Sequence, residues 1–339
     1  MIKVAERENH LDYAKGIGII SVVYFHTLVG LEATGLDLSN SLQWSIFFVA
    51  SYQMPLFFFL AGLHAAQSLA ARSTKSFVTN KLSRLIYPYV IWSLITGGIQ
   101  VALSNYVNSS ITVKDLLSIW YRPLPNQHYW FLATLFLMFM LFLIVFRISK
   151  RHYLPILIGI ALAPYIFSLH SSERMIEKLF IHMPFFVLGI IYTQFRWNHY
   201  LPDVSYKYLL AIITVFLLCN FVVWHTIPQS VIPVTLILKT LGVAVVIMAS
   251  KYLFKLGRID LIKQFGIYSM QIYLAHGLFL AGARIFMQKY LGVRCIWFHI
   301  PIELAMGLIL PLLLYKLAIR YHIPYLFEIP LKKSILVNV

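Results

Sequence analysis

The sequence predicts an all-α, polytopic bundle of about ten transmembrane helices with both termini cytoplasmic, and three observations carry that prediction. Of 339 residues, 60% are hydrophobic and 12% charged, with a mean hydropathy of +0.77. The apolar residues gather into runs of the ~20 that a helix needs to cross a bilayer. The basic residues fall asymmetrically about those runs. The spans are read at 16–34, 44–70, 85–107, 129–148, 153–169, 179–195, 207–225, 231–250, 264–288 and 297–319. With the N-terminus inside, 20 Lys and Arg lie on the cytoplasmic side and 7 on the other. The seven are Lys114, Arg122, Arg174, Lys178, Arg284, Lys289 and Arg294, and Lys239 remains inside the eighth span.

This positive-inside bias explains most of the excess of 28 basic over 12 acidic residues. No nucleic-acid partner is therefore expected. The two cysteines, Cys219 and Cys295, stand far apart without ligand spacing, so neither a disulfide framework nor a metal site is expected. The first apolar run is as long as a span and carries Asp12, Lys15 and His26, unlike the plain hydrocarbon of a signal peptide. The expected organisation is one transmembrane domain over 1–339, with no internal repeat and no appended extracytoplasmic domain.

The first span, LDYAKGIGIISVVYFHT over 11–27, holds a histidine deep within it. Lys15 and His26 are eleven residues apart, which on a helix places them ~20° apart around the axis and ~16–17 Å along it. One face thus bears a cation at the membrane edge and an imidazole near mid-bilayer. An ionisable group in hydrocarbon is costly and is a functional candidate by default; the alternative is a satisfied packing residue. In the second span Pro55 sits within QMPLFFFLAG, where it removes a backbone donor and bends the helix. Gly62 permits close approach of a neighbour. The bend either serves packing or opens space beside His26.

Lys81 and Arg84 follow, three residues apart at the inner edge. They serve either as topology anchors or as partners of a phosphate. Between the third and fourth spans, VKDLLSIWY over 113–121 suits a small surface helix. The segment PLPNQHYW over 123–130 brings His128 and Trp130 to the outer end of the fourth span. Trp and Tyr there act as belt anchors or shape an entrance. His182 in IHMPFF and Glu303 in the tenth span are further outer-side candidates, the latter able to orient a histidine. The ninth span carries Ser269, Tyr273 and His276 at spacings of four and three, hence on one face. His276 lies about as deep in its helix as His26 does in the first. Two intramembrane histidines at matched depth point to chemistry more strongly than either alone.

Taken in order, these pieces resemble a known family. Leu11-Asp12-x-x-Lys15-Gly16 is followed by His26 and Thr27, then Met54-Pro55-Leu56-Phe57-Phe58 with Gly62, then Lys81-x-x-Arg84 with Pro88. Tyr129-Trp130-Phe131-Leu132 and Gly266-x-x-Ser269-x-x-Ile272-Tyr273-x-x-His276 complete the set. The ordered set resembles the acyltransferase-3 family of integral membrane acyltransferases. The resemblance implies an essential basic residue and a catalytic histidine in the first helix, here Lys15 and His26. It also implies a functional basic pair after the second helix, here Lys81 and Arg84. At Lys15 and Lys81 this chain has lysine where the family commonly has arginine, keeping the charge but not the bidentate fork.

The implied activity is transfer of an acyl group, most often acetyl from acetyl-CoA, to a hydroxyl of a surface polysaccharide or lipid-linked glycan at the bacterial inner membrane. Acyl-CoA is then a donor substrate and not a resident cofactor. Its phosphates are expected near Lys15, Lys81 and Arg84, with the pantetheine arm extended toward His26. His26 acts as general base or accepts the acyl group. His276, Ser269 and Tyr273 orient the acceptor or donate to the developing oxyanion, while His128, Trp130, His182 and Glu303 border the acceptor's entry. Two other classes stay open: a carrier or flippase of a lipid-linked saccharide, for which buried His, Lys and Glu are also typical, and a structural partner of a glycan polymerase.

Overall fold

The computed structural model describes residues 10–102, 115, 119, 128–166, 174–195, 197, 205–226, 232–257 and 259–329. The regular elements among them are all helical: α1 His10–Glu32, α2 Asn40–Ala50, α3 Gln53–Leu63, α4 Ala65–Ala70, α5 Thr74–Lys81, α6 Tyr87–Ala102, α7 Trp130–Ile148, α8 Tyr153–Ile166, α9 Arg174–Gln194, α10 Tyr206–Thr226, α11 Ile232–Leu256, α12 Asp260–Ile267, α13 Ser269–Ile285 and α14 Ile296–Arg320. Among these residues nine helical stretches are long and apolar enough to cross a membrane. The expected fifth span appears as α8, which has 14 described residues. The expected surface helix over 113–121 and the segment 123–127 lie outside the described residues, apart from Asp115 and Ile119.

Local chemistry explains where the helices bend and end. The first helix already includes His10, earlier than expected, and within it Asp12 holds Lys15 at 3.3 Å. Charge at a membrane edge therefore does not end a helix. The expected second span is divided at Ser51–Tyr52, one turn before Pro55. Proline lacks the N–H that the carbonyl four residues back would accept, so the distortion falls on the preceding turn. Pro88 has the same effect, with a π-helical turn at Leu82–Ile86 just ahead of it. Gly257 ends α11 with φ +61°, its N–H donating to the Leu253 carbonyl at 3.2 Å.

The chain divides into two compact units, whose boundaries fall within α3 and α14 and in the 195–196 region. The first comprises described residues from Met1–Phe57 and Arg196–Leu312, with α1 at its centre. Ala14, Ile19, Val23, Leu28 and Leu31 of α1 are fully buried, and α1 packs on α11, α12 and α13. Its contact with α12 is made backbone to backbone. A Cβ on Gly16 would strike the Ile262 carbonyl, and one on Gly266 would strike the Asp12 carbonyl. Toward the other end, Leu28, Leu31, Leu38 and Leu42 form an apolar cluster with Ile296 and Ile300 of α14.

The second unit comprises Phe58–Phe195 and Leu313–Leu331 in their described parts. Its core is aromatic: Phe77, Phe139, Phe142 and Phe186 are buried and meet largely edge to face. Here too small residues let helices close up. Gly62 of α3 lies on the Phe186 carbonyl and Gly189 of α9 on the Phe59 carbonyl. Helix α6 is pinned by its polar tips: Tyr87 donates to the Tyr325 carbonyl at 2.7 Å and Trp92 to the Leu326 carbonyl at 2.8 Å.

Candidate active site

The glycine contact between α1 and α12 sets the depth of the site. Ten residues beyond Gly16 stands His26, and ten beyond Gly266 stands His276. Two chains pinned at one level and advancing by equal helical steps bring these positions level again ~15 Å further on. The imidazoles do meet, with ring centroids 5.2 Å apart and planes tilted by 44°. The expected single ninth helix is bent at Tyr268, between α12 and α13, although hydrogen bonding continues from Tyr268 N–H to Gln264 and from Ile272 N–H to Tyr268. Beyond the bend, α13 follows α1, with His276 beside His26 and Gln288 bonded to Thr34 at 3.1 Å.

The two rings differ in surroundings. His276 is fully buried, and its Nδ1 lies 2.8 Å from the Tyr273 carbonyl and 3.1 Å from that of Ile272. A carbonyl only accepts, so Nδ1 carries the hydrogen and the lone pair of the neutral ring is on Nε2. His26 is half-buried, with Phe25 edge-on at 5.2 Å. Tyr273 is buried with its ring 6.2 Å from that of His276, and Ser269, half-buried, opens α13. With this tautomer the neutral ring of His276 presents Nε2 as an acceptor.

Lys15 pairs with Asp12, its side chain about one-third exposed at 35%. Glu303 is wholly buried, and the histidine it contacts is His299, one turn earlier on α14, with Nδ1 at 2.9 Å. Its other oxygen accepts from Arg284 at 2.6 Å. Arg284 also donates to the Thr27 carbonyl at 3.2 Å. Sequence reasoning passed over both partners. The i,i+4 spacing of His299 and Glu303 was a usable signal; Arg284 counted only toward the outer-side charge.

The remaining candidates belong to the second unit. Trp130 begins α7, and its ring and that of Phe58 lie near-parallel to His182 of α9, at 5.6 and 4.8 Å. Lys178, one turn before His182, holds its ammonium 5.3 Å from the Trp130 ring centre. His128, half-buried, stands 4.3 Å from the buried Tyr129 ring. Lys81 does not extend into water: its ammonium sits 3.5 Å from the Phe139 ring centre and 5.3 Å from that of Phe77. Arg84 is exposed. Arg72 is held by Ser68, through the carbonyl at 3.2 Å and the hydroxyl at 3.1 Å. Burial, and then the like charge of Arg84, draw the Arg72 guanidinium below its ordinary range. Among the described residues no carboxylate pairs with Arg72, Lys81 or Arg84.

A family model described as an acyltransferase domain matches residues 8–319, which takes in most of each unit and every candidate side chain above. The chain belongs to the acyltransferase-3 family. It is a multi-pass membrane acyltransferase. No curated protein and no solved structure matched the chain.

Proposed function

We propose that this acyltransferase moves an acyl group, acetyl in the first instance, from cytoplasmic acyl-CoA to a hydroxyl of a cell-surface or lipid-linked carbohydrate at the bacterial inner membrane. The observation that supports this reading is the His26–His276 pair. A neutral His26 has one N–H and one lone pair. At 5.2 Å between ring centres, its N–H can donate to Nε2 of His276, whose own hydrogen is engaged with the backbone. The lone pair is then available to take the proton of the acceptor hydroxyl.

In the step that follows, the acceptor oxygen attacks the thioester carbonyl, the new C–O bond forms and the C–S bond breaks. The proton on His26 passes to the departing CoA thiolate. His276 disperses the positive charge that His26 gains meanwhile, which favours general-base action over a covalent acyl-histidine. Tyr273 and Ser269, on the face of α13 that carries His276, orient the acceptor. The donor's phosphates call for cations whose charge is not already taken up by aromatic rings, which describes Arg72 and the exposed Arg84 better than the ring-bound Lys81. Lys15 contributes charge in the first turns of α1. Trp130, His182 and His128 form the ring-rich surface for the sugar.

The test is incubation of membranes containing the protein with acetyl-CoA labelled in its acetyl group and a lipid-linked glycan extract. Label enters the glycan, and His26→Ala abolishes this while the protein retains its gel-filtration profile. A fully active His26→Ala protein overturns the mechanism. Counterflow of the saccharide with no covalent label overturns the enzyme in favour of the carrier.

A further inference from the structure

Beside the histidine pair lies a second buried polar group that the mechanism above does not use. Arg284 spends the two hydrogens of one nitrogen on different helices: Nη2 donates to Glu303 at 2.6 Å and to the Thr27 carbonyl at 3.2 Å. Thr27 is the residue after His26. Glu303 in turn meets Nδ1 of His299, and Nε2 of His299 lies 3.0 Å from the Val293 carbonyl. Since that carbonyl only accepts, Nε2 bears a hydrogen, and a second proton lies between His299 and Glu303. On whichever atom it resides, the trio carries one net positive charge.

The sequence of α1 is shaped to receive that charge. Gly30 is four residues beyond His26, hence on the same face and ~6 Å further along the axis. A Cβ at Gly30 would collide with the Arg284 guanidinium. Any larger side chain there would displace the guanidinium from its seat against the helix one turn beyond the imidazole. Thr27 itself donates to the Val23 carbonyl at 3.0 Å, tightening the same turn. A buried ionic trio is weak evidence for stability, because desolvation offsets much of the attraction. Its placement, one nitrogen joining α13 and α14 to the carbonyl next to His26, is what it adds.

We infer that Arg284, held by Glu303 and seated on Gly30, is a positioning residue for His26. It locks the turn of α1 that carries His26 against the helix that carries His276, and so keeps the two imidazoles at their working separation. The inference rests on the acyl-transfer reading for its catalytic consequence, but the geometry it asserts is separately measurable.

The geometric arm uses full-length protein with Cys219 and Cys295 changed to serine, and His26→Cys with His276→Cys, bridged by the short thiol cross-linker dibromobimane. Bridging is expected to proceed with Arg284 present and to slow several-fold in Arg284→Gln and in Gly30→Ala, which keeps all three charged groups. The kinetic arm keeps both histidines. Since ångström-scale misplacement costs up to about 100-fold, Arg284→Lys lowers kcat roughly 10- to 100-fold with the donor and acceptor KM little changed. Glu303→Gln, which can still accept from Arg284, loses less. Bridging that ignores both Arg284→Gln and Gly30→Ala overturns the inference. So does a raised KM with unchanged kcat, which would make Arg284 a substrate contact. If bridging responds as expected but the unmodified protein transfers no acyl group, the acyl-transfer reading fails and the positioning geometry stands.

Discussion

In the first unit, His276, His299 and Glu303 are wholly buried and Asp12 nearly so, whereas the largest wholly buried side chains of the second unit include Trp92, Phe77, Phe142, Phe185 and Phe186. His182 is the buried histidine of the second unit among the described residues, and it lies near-parallel to two aromatic rings. Both units use glycine to bring helix backbones together, Gly16 with Gly266 in one and Gly62 with Gly189 in the other. The same packing device thus supports opposite interiors. In the first it delivers two imidazoles to one level; in the second it closes an aromatic core around which cations are arranged. The proposed function accordingly puts proton transfer in the first unit and binding of the donor's phosphates and the sugar in the second.

The largest effect should separate those assignments. A methyl group at Gly266 or at Gly62 would meet backbone that cannot swing aside, and each Gly→Ala change is expected to cost about 3 kcal/mol, seen as a lower midpoint in detergent unfolding followed by tryptophan fluorescence. The two should then part company. Gly266→Ala shifts α12 off α1 and lowers kcat per folded molecule, because the histidines ten residues beyond lose their common level. Gly62→Ala leaves kcat per folded molecule near that of the parent. Equal losses of kcat would remove the distinction between a chemical and a binding unit.

How far the sequence disclosed this division follows the range of each contact. Spacing within one helix placed Lys15 and His26 on one face and grouped Ser269, Tyr273 and His276, and the matched depth of the two histidines followed from counting residues into each span. The bend at Tyr268 was not legible, because a single residue with φ −100° and ψ 19° follows from no breaker in the sequence. Pro55 announced a distortion but the break lies one turn earlier, where its missing donor is felt. Arg284 was hidden because its partners, Thr27 and Glu303, come from two other helices. His299 and Glu303 could have been paired by their spacing. At Lys81 the sequence left a topology anchor and a phosphate partner both open, because nothing local reveals that its ammonium lies over the Phe139 ring.

That last contact supports a second, intermediate prediction. Lys81→Met removes a cation from two ring faces and is expected to lower stability by about 1–2 kcal/mol, while the KM for acyl-CoA changes little. Arg84, exposed, should behave in the opposite way. Arg84→Gln costs little stability but loses a charge-assisted hydrogen bond to the donor, raising its KM up to about tenfold. Paired measurement of unfolding midpoints and donor KM reads both effects. A Lys81→Met protein of normal stability with a tenfold higher donor KM would show the ammonium leaving the rings to meet the phosphates, and the second unit's cations would then act together.

The smallest effect tests whether a buried hydroxyl matters by what it leaves behind. In the first unit Tyr52 and Ser21 share a buried hydrogen bond at 2.8 Å, and Ser21 also donates to the Ile17 carbonyl at 2.8 Å. Tyr52→Phe therefore leaves Ser21 with its donor still engaged, and the loss should be about 0.6 kcal/mol, the usual worth of a hydrogen bond between membrane helices. In the second unit Tyr89 donates to the Ile119 carbonyl at 2.7 Å. Tyr89→Phe takes the hydroxyl donor from a backbone acceptor, so the loss should exceed that at Tyr52 and approach about 1–2 kcal/mol. Comparison of the two unfolding midpoints under identical detergent conditions measures the order. Were Tyr52→Phe the costlier change, the bond from α1 to the bend between α2 and α3 would be holding α1 itself, and the frame around His26 would extend from Arg284 at one end to Tyr52 at the other.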